Sequence, residues 1–424
     1  MQITTTITLC LLMLAGDNLA QLFRQDPDRF GVNTHVYEFR QVRETPAPRG
    51  FKPVYISHFG RHGSRTDWNA DHYEYVIDIL QTADSLGILS VRGDSLLNAS
   101  RQVLAVHGGQ DGHLTPLGEV EHRKLARRLY QRYPSVFRKG SKYVRVESST
   151  VPRCLVSMAS FTNQLAAIQP DLSFSISSDA GIFKIVHNNC SPHIRTASQV
   201  LLDSLVNNTV NDTTEVYNTL FTNSKLAKKL APDADKFQKY IWYVARIAKS
   251  SGLSENVYRY IPYDVSFRWW DYFNRELYIR NCNSVEFGDE RMVLTEPLVK
   301  DIIDKADAAL ADGAVCADLK FSHDYPLLAC ASYFGLSGVG ERMSFDEIPA
   351  RWNDPMNVPL SGNFQLVFYR NKAGELLVKF DYGDIERKVI GLEAYSGYYY
   401  LWNDFKEYCR KRSAELGSNL SFER

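Results

Sequence analysis

The sequence has no excess of charge, no cysteine pair at metal-ligand spacing, no low-complexity tract and no apolar run long enough to cross a membrane. Each absence excludes something. With 49 Lys and Arg against 49 Asp and Glu over 424 residues, no global field draws the chain to nucleic acid or to an anionic surface. Any affinity for anions must then come from a local cluster. Without CxxC or related spacings, zinc modules and dithiol redox sites are excluded, and no metal or other cofactor is expected. The apolar stretch Ile7–Ala15 within "MQITTTITLCLLMLAGDNLA" is far shorter than the roughly 20 residues a bilayer needs. It has the character of a secretory h-region with cleavage near Ala20, although the usual Lys or Arg before it is missing. The other reading is an N-terminal arm. Residues 1–20 are therefore expected as a signal peptide and the protein as exported, periplasmic or secreted. No lipobox precedes Cys10, so no membrane anchor is expected. Six cysteines remain beyond that segment: Cys154, Cys190, Cys282, Cys316, Cys330 and Cys409. An even number in an exported chain permits disulfides, and buried thiols are the alternative.

What is present is an alternation of strand and helix signals. "KPVYISHFG" predicts a strand running into glycine. "HLTPLGEVEHRKLARRLYQRYP" predicts a helix with Thr115 as N-cap, Pro116 at its first position and Pro134 as stop. Its apolar face is expected along Leu117, Val120, Leu125 and Leu129. "KYVRVESS" alternates as a strand and leads directly into the helix "VPRCLVSMASFTNQLAAI". "SFSIS" and "GIFKIVH" are expected as further short strands. Residues 67–110 and 191–291 are helix-like with no convincing strand. Alternation then resumes with "ADLKFSHD", "YPLLACASYFGL", "FQLVFYRN", "ELLVKFDYGD" and a terminal helix near Tyr398–Leu416. This pattern predicts an α/β core over residues 21–66, 111–190 and 292–424, interrupted by helical insertions over 67–110 and 191–291 that form a second lobe.

Open α/β sheets bind ligands beyond the carboxyl ends of their strands, and charged residues sit at that address in three places. Arg61-His62-Gly63-Ser64-Arg65 follows the first strand. Arg153 lies in the first turn of the helix after "KYVRVESS". His323-Asp324 ends "ADLKF". If the strands are neighbours, arginines, histidines and a carboxylate converge. That composition binds phosphate: guanidinium groups supply charge and paired donors, and helix N-termini add oriented amides. A neutral imidazole can carry a phosphoryl group covalently, and a carboxylic acid can protonate a leaving alkoxide. Taken singly, each residue has a plainer reading. Asp324 is a good N-cap, and Arg153 could cover a helix turn, although it opposes the helix dipole there. His58 shares a strand face with Val54 and Ile56 and is assigned to structure.

These residues resemble the histidine acid phosphatases, the second branch of the histidine phosphatase superfamily. The resemblance rests on Arg-His-Gly-x-Arg at Arg61–Arg65, on "GHLTPLGEVEHRKLARRLYQRYP", on "SSTVPRCLVSMASF" and on "FSHD", in the family's order. It implies a central mixed sheet flanked by helices, with a second, mostly helical cap lobe. It also implies His62 as nucleophile, Asp324 as proton donor, and Arg61, Arg65, Arg153 and His323 as phosphate ligands. "TPAPRGFKPVYISHFGRHGSR" is most similar to the multiple inositol polyphosphate phosphatase subgroup. That similarity implies a small phosphorylated substrate of the inositol phosphate class, with Lys184 as a further basic contact. Two departures stand out: Thr66-Asp67 where proline is common, and His323-Asp324-Tyr325 where the subgroup has His-Ala-Glu. A broad acid or sugar phosphatase, and a polyanion-binding relative without turnover, remain alternatives.

Overall fold

The computed structural model describes residues 19–208 and 213–422, so the expected signal peptide and Cys10 lie outside the described residues except for Leu19 and Ala20. Its centre is a mixed sheet built from β1 (Lys52–Arg61), β2 (Tyr143–Ser148), β3 (Ser173–Ser177), β4 (Ala317–Ser322), β5 (Asn363–Arg370), β6 (Leu376–Tyr382), β7 (Ile385–Arg387) and β8 (Tyr399–Leu401). The order is β3-β2-β4-β1-β5-β6-β7, with β8 also paired to β6. Strands β1 to β4 run parallel, and β5 onward antiparallel. Helices cover both faces of this sheet, as the uninterrupted burial of β4 and β5 requires.

Register is what builds the site. Arg61 is opposite Ser322, and Ser148 is opposite Phe321. The carboxyl ends of β1, β4 and β2 therefore finish level at one edge, which is the neighbour relation the charged motifs need. The helix after β2, α2 (Pro152–Ile168), and the helix after β4, α4 (Asp324–Tyr333), both start at that edge.

Apolar side chains bury on both faces of the sheet, one set including Ile56, Leu319 and Phe321, the other Phe59, Leu366 and Phe380. A separate cluster is mainly helical. It joins helices Asp71–Ser85, Val91–His107, Ala234–Ala248 and Tyr263–Asn281, with Trp242 stacked flat on Phe273 at 5.0 Å. Phe23, Phe30 and Val32 pack into this helical cluster as well, so the chain crosses from it to the sheet just before β1.

Three expectations need correction. The run "GIFKIVH", residues 181–187, was expected as a strand, but Ala180–Val186 forms a helix, α3. Its β-branched residues favour a strand, but the Asp179 carboxylate accepts from the amides of Gly181 and Ile182 and starts a helical turn. In α1 (Pro116–Arg132) the buried face runs through Gly118, Glu121, His122, Leu125 and Leu129, while Leu117 and Val120 are only half-buried. The glycine lets the helix press against the loop after β1, and this close approach sets which face turns inward. All six cysteines in the described residues are buried free thiols, so the disulfide alternative is not realised.

Two histidines are enclosed by this core. His58 and His122 pack around Phe321, and burial pushes each down to about 3. In the unfolded chain each takes a proton near pH 6.5. Between about pH 6.5 and about pH 3 the unfolded state therefore binds more protons, and stability rises with pH by about 1.4 kcal/mol per unit for each residue. Acidification removes that stability. Urea unfolding of wild type and His122→Leu at several pH values between about 6.5 and about 4.5 should show a slope lower by about one proton in the variant. Equal slopes would mean that His122 is not held neutral.

Candidate active site

Strand β1 ends in Arg61, and the next residues turn sharply over α1. The turn depends on two glycines meeting: a Cβ on Gly63 would lie 2.7 Å from the Gly118 backbone, and one on Gly118 would lie 2.4 Å from the Ser64 carbonyl. Beneath the turn, buried Glu121 accepts from the Ser64 amide at 2.8 Å, the Ser64 hydroxyl at 2.7 Å and the Ser361 hydroxyl at 2.7 Å. Burial pushes the Glu121 carboxyl up, and these donors offset part of that. Thr115 sits at the N-cap position of α1, yet its hydroxyl makes no cap. It donates to the carbonyls of Ser64 and Ser250, tying the turn to the helical cluster.

His62 is 2% exposed. Its Nδ1 lies 3.0 Å from the Gly63 carbonyl. A carbonyl only accepts, so Nδ1 carries the hydrogen and Nε2 keeps its lone pair. Burial, and then Arg61, Arg153, His323 and Arg65, hold this imidazole well below its usual titration range. It is a neutral base surrounded by cations.

Those cations come from separate elements. Arg61 donates to the Val358 carbonyl at 2.9 Å and pairs with Asp324 at 3.0 Å. Burial, with Arg65 and Arg153 nearby, brings its guanidinium down to about 10 despite Asp324. Arg153, second residue of α2, donates to His323 Nδ1 at 3.2 Å. Arg65 and Arg153 both lie over the Trp68 ring, at 4.8 and 4.4 Å, and that indole is 57% exposed. The His62 and His323 rings stand edge to face at 5.5 Å, and His323 stacks on Tyr325. Three arginines so close together repel one another unless an anion sits among them.

Asp324 opens α4 at the same edge. Its Oδ1 accepts from the Tyr325 amide, and its Oδ2 accepts from Asn33 at 2.8 Å and from Arg61. Burial alone would lift this carboxyl, but Arg61, then Asn33, His323 and Arg65, hold it below the usual carboxylate range.

The structure thus brings Arg61, His62, Arg65, Arg153, His323 and Asp324 together. Lys184 is exposed on α3 and, among the described residues, forms no hydrogen bond or ion pair with them. Buried Asp67 pairs with Arg65, His72 and Arg246, so the departure at Thr66-Asp67 serves to hold Arg65. Sequence reasoning missed Asn33, Glu121 and Trp68. Only Glu121 leaves a signal, as a charge on the buried face of α1.

Residues 59–170 match the sequence model of the histidine phosphatase superfamily, branch 2. Among solved structures, the chain is similar to the multiple inositol polyphosphate phosphatase of Bifidobacterium longum, with a TM-score of 0.71 at 16% identity over 93% of this chain and 99% of that one. The same enzyme in complex with inositol hexasulfate gives 0.70. The phytase of D. castellii gives 0.65 at 14% identity, over 93% of this chain and 88% of that one. No protein of curated function matches the sequence.

Proposed function

We propose that this protein is an exported phosphomonoesterase that removes phosphate from inositol polyphosphates through a phosphohistidine. The observation that carries the reading is the lone pair of His62 Nε2, kept neutral inside a ring of arginines with Asp324 beside it. In the first step His62 Nε2 attacks phosphorus, the ester P–O bond breaks, and Asp324 gives its proton to the departing alkoxide. Arg61, Arg65, Arg153 and His323 hold the phosphoryl oxygens and carry the charge that builds on them. In the second step the Asp324 carboxylate takes a proton from water, the oxygen attacks phosphorus, the P–N bond breaks, and inorganic phosphate leaves. No step calls on a cofactor. The helices over 67–110 and 191–291 are the cap lobe, with Ser250 reaching from it to Arg65.

The substrate class is supported by the similarity to the Bifidobacterium longum and D. castellii proteins, whose structures carry the inositol polyphosphate phosphatase and phytase names. A broader phosphomonoesterase is favoured by a different observation: aromatic rings of Trp68, Tyr325 and His187 border the cluster, and Lys184 stands apart from it. Phosphate release from phytate against sugar and aryl monophosphates, from acidic to neutral pH, separates the two. The inositol phosphate reading requires phytate to exceed the sugar phosphates in kcat/KM by about tenfold or more, about 1.4 kcal/mol in transition-state binding. Comparable values would establish the broader enzyme, and no release from any ester would leave a polyanion-binding protein. None of the described helices is long and apolar enough to cross a membrane.

A further inference from the structure

We infer that Asn33, from the segment before the sheet, is a positioning residue that orients the Asp324 carboxyl and holds it as a proton carrier. The inference rests on the role proposed above for Asp324 as proton donor.

Asn33 is far from Asp324 in sequence, and its Nδ2 donates to Asp324 Oδ2 at 2.8 Å, the same oxygen that Arg61 reaches at 3.0 Å. The backbone that delivers it is strained. Val32, immediately before, has φ 50° and ψ −119°, a region that a β-branched residue adopts only when its surroundings force it. Those surroundings are on both sides of the residue. Phe30 and the Val32 side chain are buried in the helical cluster. The Thr34 hydroxyl donates to the carbonyls of Gly31 and Arg246, and the His35 carbonyl accepts from the Leu360 amide. The strained turn aims the Asn33 amide at the acid from a segment fixed at both ends. Backbone strain of this kind gathers where function fixes geometry.

An asparagine suits a carboxyl that changes protonation state. Its amide has a donor face for the carboxylate and, rotated by half a turn, an acceptor face for the carboxylic acid. Arginine has only donors and cannot accept from the O–H of the protonated acid. As Arg61 engages the bound phosphoryl group, Asn33 remains as the partner able to hold Asp324 in either state.

Other groups facing Asp324 do not titrate with it. Arg61, Arg65 and Arg153 remain cationic through the acid range. His62 and His323 are pushed down and stay neutral until well below their usual range. Tyr325, Tyr382 and Cys154 are pushed up by burial and keep their protons. A change in Asp324 titration on altering Asn33 therefore reads that contact.

The test uses wild type, Asn33→Ala and Asn33→Asp, the last nearly isosteric and so a guard against misfolding of the alanine variant. Asp324 is titrated in the ligand-free proteins by carboxyl 13C NMR, with Asp324→Asn to identify its resonance. Removing the donor should raise the midpoint by about one pH unit in Asn33→Ala, and by more in Asn33→Asp, where a second carboxylate faces it. In turnover, Asn33→Ala should lose about tenfold in kcat on alkyl phosphates and little on activated aryl phosphates. Unchanged midpoints in both variants overturn the inference, and a shifted midpoint with equal losses on both ester classes overturns its part in proton donation. The NMR titration needs no turnover, so a wild type that hydrolyses nothing would refute the proposed function while the titration still decides whether Asn33 holds Asp324.

Discussion

Replacing His62 with alanine is expected to lower kcat by about 10⁴-fold or more on every phosphomonoester, because it removes the atom proposed to form the covalent bond. The same variant should keep its affinity for inorganic phosphate within about threefold, since none of Arg61, Arg65 and Arg153 relies on the His62 imidazole for a hydrogen bond. Alkaline quenching during turnover, which spares the acid-labile P–N bond, should trap phosphate on nitrogen in wild type and none in the variant. Retained turnover would refute the nucleophile, and lost phosphate affinity would make His62 a structural member of the pocket. The direction of its titration adds a second consequence. His62 is held well below its usual range by burial and by Arg61, so it stays unprotonated and nucleophilic in mild acid, where an exposed histidine would be charged. A decline of activity between about pH 6.5 and about pH 5, the range in which free imidazole protonates, would contradict that environment.

Much of this site was legible because its chemistry is packed into short runs at strand ends. Arg61 to Arg65 follows a strand whose apolar pattern is clear, and His323-Asp324 does the same. The alternation of the chain was enough to put their strands in one sheet. Their being neighbours depends on the order β2-β4-β1, which joins residues far apart in sequence. Asn33 was out of reach for that reason: its segment has no periodic pattern, and its partner lies far along the chain. Glu121 was obscured differently. Its helix was recognised, but the inward face follows the meeting of Gly63 and Gly118, a packing fact with no local trace. The strand expected at 181–187 failed because one carboxylate, Asp179, outweighed the preference of the β-branched residues after it. Local propensity is decided by such contacts wherever the element is short.

Asp324→Asn is expected to lower kcat on alkyl phosphates by roughly 10²- to 10⁴-fold and on activated aryl phosphates by no more than about tenfold. The difference follows from the leaving group. An alkoxide needs a proton as the bond breaks, whereas a nitrophenolate leaves without one. In the ligand-free protein Asp324 has no proton to give. Burial would raise its proton affinity, but Arg61, Asn33, His323 and Arg65 hold it ionised. A phosphoryl group changes the balance. It adds negative charge beside the carboxylate and engages Arg61, the strongest of the groups that keep it charged. Binding should therefore pull a proton onto Asp324. Calorimetry of phosphate binding near pH 5 in buffers of different ionisation enthalpy should show uptake of up to one proton by wild type and less by Asp324→Asn. By the same linkage, phosphate should bind more tightly as the pH falls toward the acid range. Equal kinetic losses on both ester classes, with unchanged proton uptake, would reduce Asp324 to the ion-pair partner of Arg61 and the first residue of α4. An unequal loss with reduced uptake would identify it as the group that protonates the departing alcohol.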